Sequence, residues 1–175
     1  MASFAPVLTV AICTRNRATS LARTLESIAL AEPPPGPWEV VVVDNGSTDG
    51  TAQAAAAFAA RLPLRVVSEL APGVANARNR SVVEAAGDWI IWTDDDVIVD
   101  RSWLLEYHRA IAEHPDAAVL GGQIEIVFEG SPPTWLRAGL DSVSVAFAGR
   151  AAARFPEMMA AGGELPFGAN MAVRC

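Results

Sequence analysis

Cysteine is scarce in this chain of 175 residues, with Cys13 and Cys175 the two present. Two cysteines make no disulfide framework, and a reducing compartment is the expected setting. Long apolar runs are also missing. Hydrophobic residues make up 51% of the chain, much of it alanine. Every apolar run nevertheless stops well short of the roughly 18–20 residues that a bilayer crossing needs, so no integral membrane segment is expected. No basic segment followed by an apolar stretch and a cleavage site opens the sequence, and no signal peptide is read. The expected location is the cytoplasm, free or peripheral at the inner face of the membrane. Positive charge is the minority, with 13 basic residues against 20 acidic ones and a formal net charge of −7. Nonspecific nucleic-acid binding runs on basic surface and is excluded on that ground. A nucleotide ligand is not excluded, because a metal ion and a few arginines can reverse the field inside a cleft. Internal repeats, low-complexity tails and linkers are absent, and the length suits one domain spanning residues 1–175.

What is present alternates. Val7 to Cys13 reads as a strand that is apolar on both faces, as buried parallel strands are. A helical pattern opens near Ser20 and sets Leu21, Leu25 and Ile28 on one face. Trp38 to Val43 is a second strand ending in Asp44, and Ser47 or Thr48 is expected to cap a helix through Gln53 to Arg61. Leu64 to Ser68 is a third strand. A helix from about Val74 to Ala86 is expected to close on Gly87. Trp89 begins a fourth strand, and Ser102 to Glu113 a helix that buries Trp103, Leu104, Tyr107 and Ile111. Ala118 to Phe128 reads as a strand or hairpin arm after the pair Gly121–Gly122, and Leu165 to Arg174 as a turn feeding a strand. Beyond Gly130 the pattern assigns no elements until that turn.

Strands alternating with helices predict an α/β fold, a Rossmann-like, mostly parallel sheet with helices on both faces. Ligands of such sheets sit beyond the carboxyl ends of the strands. That rule gathers Thr14 to Arg17, Asp44, and the triplet Asp94, Asp95 and Asp96 along one edge. Three adjacent carboxylates repel one another, and more strongly as water is excluded. An isolated triplet is more often a solvated acidic turn ahead of a helix. At the mouth of a buried strand it also suits a hard cation, and Mg²⁺ typically uses one or two carboxylates plus substrate phosphates.

Five segments in order, TVAICTRNR, EVVVVDNGSTDGT, PGVANARNRS, GDWIIWTDDD and PFGANMAVR, resemble the family-2 glycosyltransferases of the GT-A fold. The resemblance covers nearly the whole chain. It implies a nucleoside-diphosphate sugar donor, Mn²⁺ or Mg²⁺ as cofactor, and inverting transfer to an unidentified hydroxyl-bearing acceptor. It implies roles as well. Asp44 accepts a hydrogen bond from the base, where the residue alone suggests an Asx turn with Gly46 equally well. Thr14 and Arg15 line the nucleotide pocket, Arg78 lies near base or diphosphate, and Asp94 takes the ribose. Asp95 or Asp96 holds the metal. Asn76 and Asn79 read as structural, and by the ordinary rule for aromatic side chains Trp89 and Trp92 are expected in the core. The family's catalytic base is an acid placed after the segment resembling FGANMA, whereas Glu157 and Glu164 precede that segment. No catalytic residue is therefore identified. The base is expected beyond Cys175, which makes the chain a donor-binding portion, C-terminally incomplete.

Two other functions share some of these features. A nicotinamide dehydrogenase needs a glycine-rich first turn, and CTRNRATS holds no glycine. The same lack ranks a sugar nucleotidyltransferase second among enzymes. A noncatalytic nucleotide-sugar-binding module is the alternative from another class.

Overall fold

The computed structural model describes residues 7–143 and 166–175. Among them a six-stranded sheet runs in the order β3-β2-β1-β4-β6-β5. The strands are β1 (Leu8–Thr14), β2 (Trp38–Asp44), β3 (Leu64–Ser68), β4 (Trp89–Thr93), β5 (Val119–Gly121) and β6 (Asn170–Arg174). β1 pairs in parallel with both β2 and β4, and β2 with β3. β6 lies antiparallel between β4 and β5. The expected mostly parallel α/β sheet is the one observed.

Alternation along the central strands assigns the two faces. Leu8, Val10 and Ile12 of β1, with Val40 and Val42 of β2, are fully buried in the larger apolar cluster. That cluster also takes Leu21, Leu25 and Ile28 from α1 (Ala18–Leu30) and Trp103, Leu104, Tyr107 and Ile111 from α4 (Trp103–Glu113). The opposite face is covered by α3 (Val74–Glu84), whose Ala77 packs with Val41 and Val43. Trp89 is core, while the half-buried Trp92 donates its indole N–H to Ser81 Oγ at 3.0 Å.

Several local expectations are corrected. The second helix is short. α2 covers Thr51–Ala56 and tightens into a 3-10 turn, Ala57–Ala60. Its N-cap is Gly50, and Asp49 Oδ1 accepts from the Thr51 backbone N–H at 2.9 Å, so neither Ser47 nor Thr48 caps it. Those two side chains serve the neighbouring loop instead. α3 ends at Glu84 with extended backbone at Ala85, and Gly87 is no helix cap. A Cβ on Gly87 would lie 2.7 Å from the Thr9 backbone nitrogen and 2.8 Å from Val7 O, so glycine is there for space. The pair Gly121–Gly122 closes β5 rather than opening a strand. A Cβ on Gly121 would meet the Pro166 ring at 2.4 Å. The stretch after Gly130, left without elements, holds the helix α5 (Thr134–Val143).

Two glycines should respond with opposite sign. Gly87→Ala forces a methyl against main chain and is expected to cost about 1–3 kcal/mol. Gly139→Ala, inside α5 with nothing within 4 Å of the added Cβ, is expected to gain about 0.5–1 kcal/mol. Urea unfolding of the two variants measures both.

Candidate functional site

Register brings the functional segments together. Thr14 pairs with Asp44, and Ile12 with Thr93, so the chain leaves β1, β2 and β4 at one carboxyl edge. The loop after β1 is tied to the loop after β2 by reciprocal contacts. Asn16 adopts φ 54°, a left-handed conformation that asparagine tolerates. Its N–H donates to Ser47 Oγ at 2.9 Å, and its Oδ1 accepts from the Thr48 N–H at 2.8 Å. The Arg17 N–H donates to Thr51 Oγ1 at 2.9 Å.

Asn45 performs the same service on the other side. Its Nδ2 donates to Glu69 O at 3.0 Å and Ala71 O at 2.7 Å, and its Oδ1 accepts from the Gly73 N–H at 2.8 Å. These bonds fasten the loop that leads into α3. Asn76 Nδ2 donates to Pro72 O at 3.0 Å, the structural part expected of it. Asp44 is 9% exposed, and its Oδ1 accepts from the Ser47 N–H at 3.0 Å. That bond spans three residues, where the Asx turn with Gly46 would span two, so the turn at Asp44 closes on Ser47 instead.

The three acids each find a different partner. Asp95, 9% exposed, accepts from Thr14 Oγ1 at 2.7 Å. Asp96 pairs with Arg17 at 3.3 Å, and Asp94 faces Arg78 at 3.9 Å, all four of those side chains half-exposed. Burial pushes the carboxyl of Asp94 up, Arg78 opposes this, and Asp96 and Asp95 add to it. Burial also pushes Asp95 up, against the Thr14 hydrogen bond and Arg17. Cys13 feels the same edge. Burial, with Asp94 and Asp95 nearby, takes its thiol up to about 11 although Arg78 pulls the other way.

The donor set at this edge is hard oxygen, the set that Mg²⁺ and Mn²⁺ prefer. Among the described residues no group of three or more His, Cys, Asp or Glu side chains converges as a ready metal cage. A divalent ion therefore fits only as one that takes one or two carboxylates and completes its shell with phosphate and water.

Of the residues expected from sequence, Thr14, Asp44, Arg78, Asp94, Asp95 and Asp96 share this edge, and Arg15 is exposed on the same loop. Glu157 and Glu164 lie outside the described residues. Sequence reasoning missed Arg17 as an acid's partner, Asn16 and Asn45 as latches, and Gly168. A Cβ on Gly168 would come within 2.4 Å of an Arg78 terminal nitrogen. The TRNR and DNGS segments held the first three. Nothing in the spacing marked the last.

With the geometry in place, comparison with known proteins adds the following. The family model for glycosyl transferase family 2 matches residues 9–162. The PGL/p-HBAD biosynthesis glycosyltransferase of Mycobacterium tuberculosis is 34% identical over 123 residues, covering 69% of this chain and 47% of that protein. S. aureus TarS in complex with UDP-GlcNAc is similar with a TM-score of 0.63 and 28% identity, over 73% of this chain and 37% of that one. The mannosyltransferase PcManGT of Pyrobaculum calidifontis, in complex with GDP-Man and Mn²⁺, has a TM-score of 0.63 and 30% identity, over 71% and 37%. The GT-A architecture is common to them. The chain spans about half the length of the first curated relatives it matches. Among the described residues no helix is long and apolar enough to cross a membrane.

The raised carboxyls imply a pH effect of definite sign. A carboxyl whose titration is raised by folding binds its proton more readily in the folded chain. Stability is then lost as pH rises through the raised value. Asp94→Asn, melted in chelator, is expected to raise the melting temperature at neutral pH. The gain should shrink as pH falls until Asp94 is protonated in both folded and unfolded chains. Calorimetry across that range checks it, and a variant that melts earlier at neutral pH would show the Arg78 contact outweighing burial.

Proposed function

The chain belongs to glycosyl transferase family 2, and from that premise we propose that its carboxyl sheet edge binds a nucleoside-diphosphate sugar with Mn²⁺ or Mg²⁺ for inverting transfer to a hydroxyl acceptor. The observation that carries the reading is the dispersal of three adjacent acids onto three partners. Thr14 on β1, Arg17 ahead of α1 and Arg78 on α3 hold Asp95, Asp96 and Asp94 apart. An acidic turn that merely capped a helix would need none of them. TarS with UDP-GlcNAc and PcManGT with GDP-Man support the ligand class, and they differ in base and in sugar.

In this reading Asp44 accepts a hydrogen bond from the base, and Thr14 and Arg15 border the nucleotide. Asp94 takes the ribose. Asp95 or Asp96 holds the cation, and Arg78 approaches the diphosphate. The cation, when bound, neutralises charge on the departing diphosphate. Arg17 and Arg78 add fixed positive charge beside it, the electrostatic help that phosphate-leaving reactions need. The acceptor oxygen bonds to the anomeric carbon as the bond to diphosphate breaks, and a single such displacement inverts the configuration. The acceptor's proton goes to a base that no described residue is assigned. A cytoplasmic setting, where nucleotide sugars and free thiols coexist, completes the reading.

Titration calorimetry with UDP and GDP, in Mn²⁺, in Mg²⁺ and in chelator, tests it. Binding is expected with the cation and lost in chelator, because the acids and the diphosphate otherwise repel. Equal affinity in chelator would remove the cation from the account. Asp44→Ala should weaken binding about tenfold or more, the value of a hydrogen bond to a charged group, and leave the cation requirement intact. Normal binding with earlier melting would leave Asp44 a turn residue.

A further inference from the structure

We propose that Gly168 is a positioning residue for the donor site, its missing side chain leaving the space in which Arg78 reaches the acidic edge. The inference rests on the reading of that edge as a nucleoside-diphosphate site. A Cβ on Gly168 would lie 2.4 Å from one terminal nitrogen of Arg78, 3.0 Å from Cζ and 3.1 Å from the other nitrogen. No main-chain atom is among these contacts. Gly168 is also not one of the glycines at positive φ, so backbone freedom does not explain it. Close approach does.

The terminal nitrogen of Arg78 that lies nearest the Gly168 position is also the one 3.9 Å from Asp94. The turn that carries Gly168 is not free to retreat. The Asn170 N–H donates to Phe167 O at 3.0 Å, and Asn170 O accepts from the Gly122 N–H at 3.1 Å. The Asn170 side chain is held at both ends. Its Oδ1 accepts from Trp103 Nε1 at 2.9 Å and Tyr107 Oη at 2.8 Å, and its Nδ2 donates to Gln123 O at 2.8 Å. Those partners come from α4 and from the segment after β5, both packed elsewhere. When a methyl is added at Gly168, the flexible end of Arg78 is what gives way. A planar guanidinium displaced by even one methyl loses its aim at the ligand, although its charge stays in the site.

The test is a double-mutant cycle on Gly168→Ala and Arg78→Ala, read by UDP affinity in Mn²⁺, by melting, and by ligand-free crystal structures. Gly168→Ala is expected to fold and to bind UDP about tenfold more weakly, the loss of one charge-assisted contact. Arg78→Ala should lose as much or more, and the double variant no more than Arg78→Ala alone. Additive losses, or wild-type affinity in Gly168→Ala, would overturn the proposal. If Gly168→Ala alone folds poorly, adding Arg78→Ala restores folding under the proposal and fails to do so if the clash lies elsewhere. If the parent chain binds neither UDP nor GDP with Mn²⁺, the donor reading fails separately. The ligand-free structure of Gly168→Ala then decides, since Arg78 moved off Asp94 supports the positioning role and Arg78 left in place ends it.

Discussion

Repulsion among Asp94, Asp95 and Asp96 is the constraint to which the carboxyl edge is built. Adjacent carboxylates at the mouth of a buried strand repel one another, and Asp95, the buried one, loses most of the water that would screen it. The fold answers with one hydroxyl and two guanidinium groups, drawn from β1, the turn before α1, and α3. None of the three partners is close to the acids in sequence. The sheet must place β1 beside β4 and lay α3 over the opposite face before any of them can act. The acid cluster and the topology are therefore coupled, because misplacing either element would leave a carboxylate unpaired. Even so, burial keeps two of the acids above their ordinary range.

The loops around the acids are held by polar side chains. Asn16 and Asn45 each present a carbonyl and an amide, or a backbone N–H, to a neighbouring loop. Such bonds fix direction as well as distance. Most of them act on main chain, and of the residues they tether Thr48, Ala71 and Gly73 stay exposed. The chain has no lysine, and every basic residue at this edge is an arginine. A guanidinium keeps its charge under all conditions of interest and offers flat, forked donors suited to carboxylate and phosphate. That uniformity fits an edge where geometry, more than charge alone, has to be set.

The legible parts in the sequence were those governed by local pattern. Two-sided apolar runs gave β1, β2 and β4 because a parallel strand buried by helices has no polar face. Leu21, Leu25 and Ile28 gave α1 by spacing alone. The acids and TRNR were placed together by the general rule for parallel sheets, without any contact being known. What escaped depended on distant neighbours. Ser47 and Thr48 look like caps, and only the fold shows that Asn16 competes for them. Gly87 resembles a helix stop, and its true requirement is the main chain of Thr9. The helix after Gly130 was hidden because Pro132, Pro133 and Gly139 weaken the signal that Trp135, Leu136 and Leu140 carry.

The last strand explains why a glycine late in the chain can govern an edge built from its first half. β6 enters between β4 and β5 and runs antiparallel to both, with Asn170 opposite Thr93. A parallel strand in that slot would have delivered its C-terminus to the carboxyl edge. Antiparallel entry delivers its beginning instead, together with the Phe167–Asn170 turn. The turn thereby meets the acids' side of the sheet at the point where α3 sends Arg78 across. Asn170 then serves two ends. Its backbone closes the turn, and its side chain joins Trp103 and Tyr107 of α4, whose rings meet edge-on at 5.7 Å. The α4 layer, on the face opposite α3, is thereby bonded to the residue that closes the turn beside the Arg78 guanidinium. Strand direction converts packing on one face of the sheet into geometry at its edge.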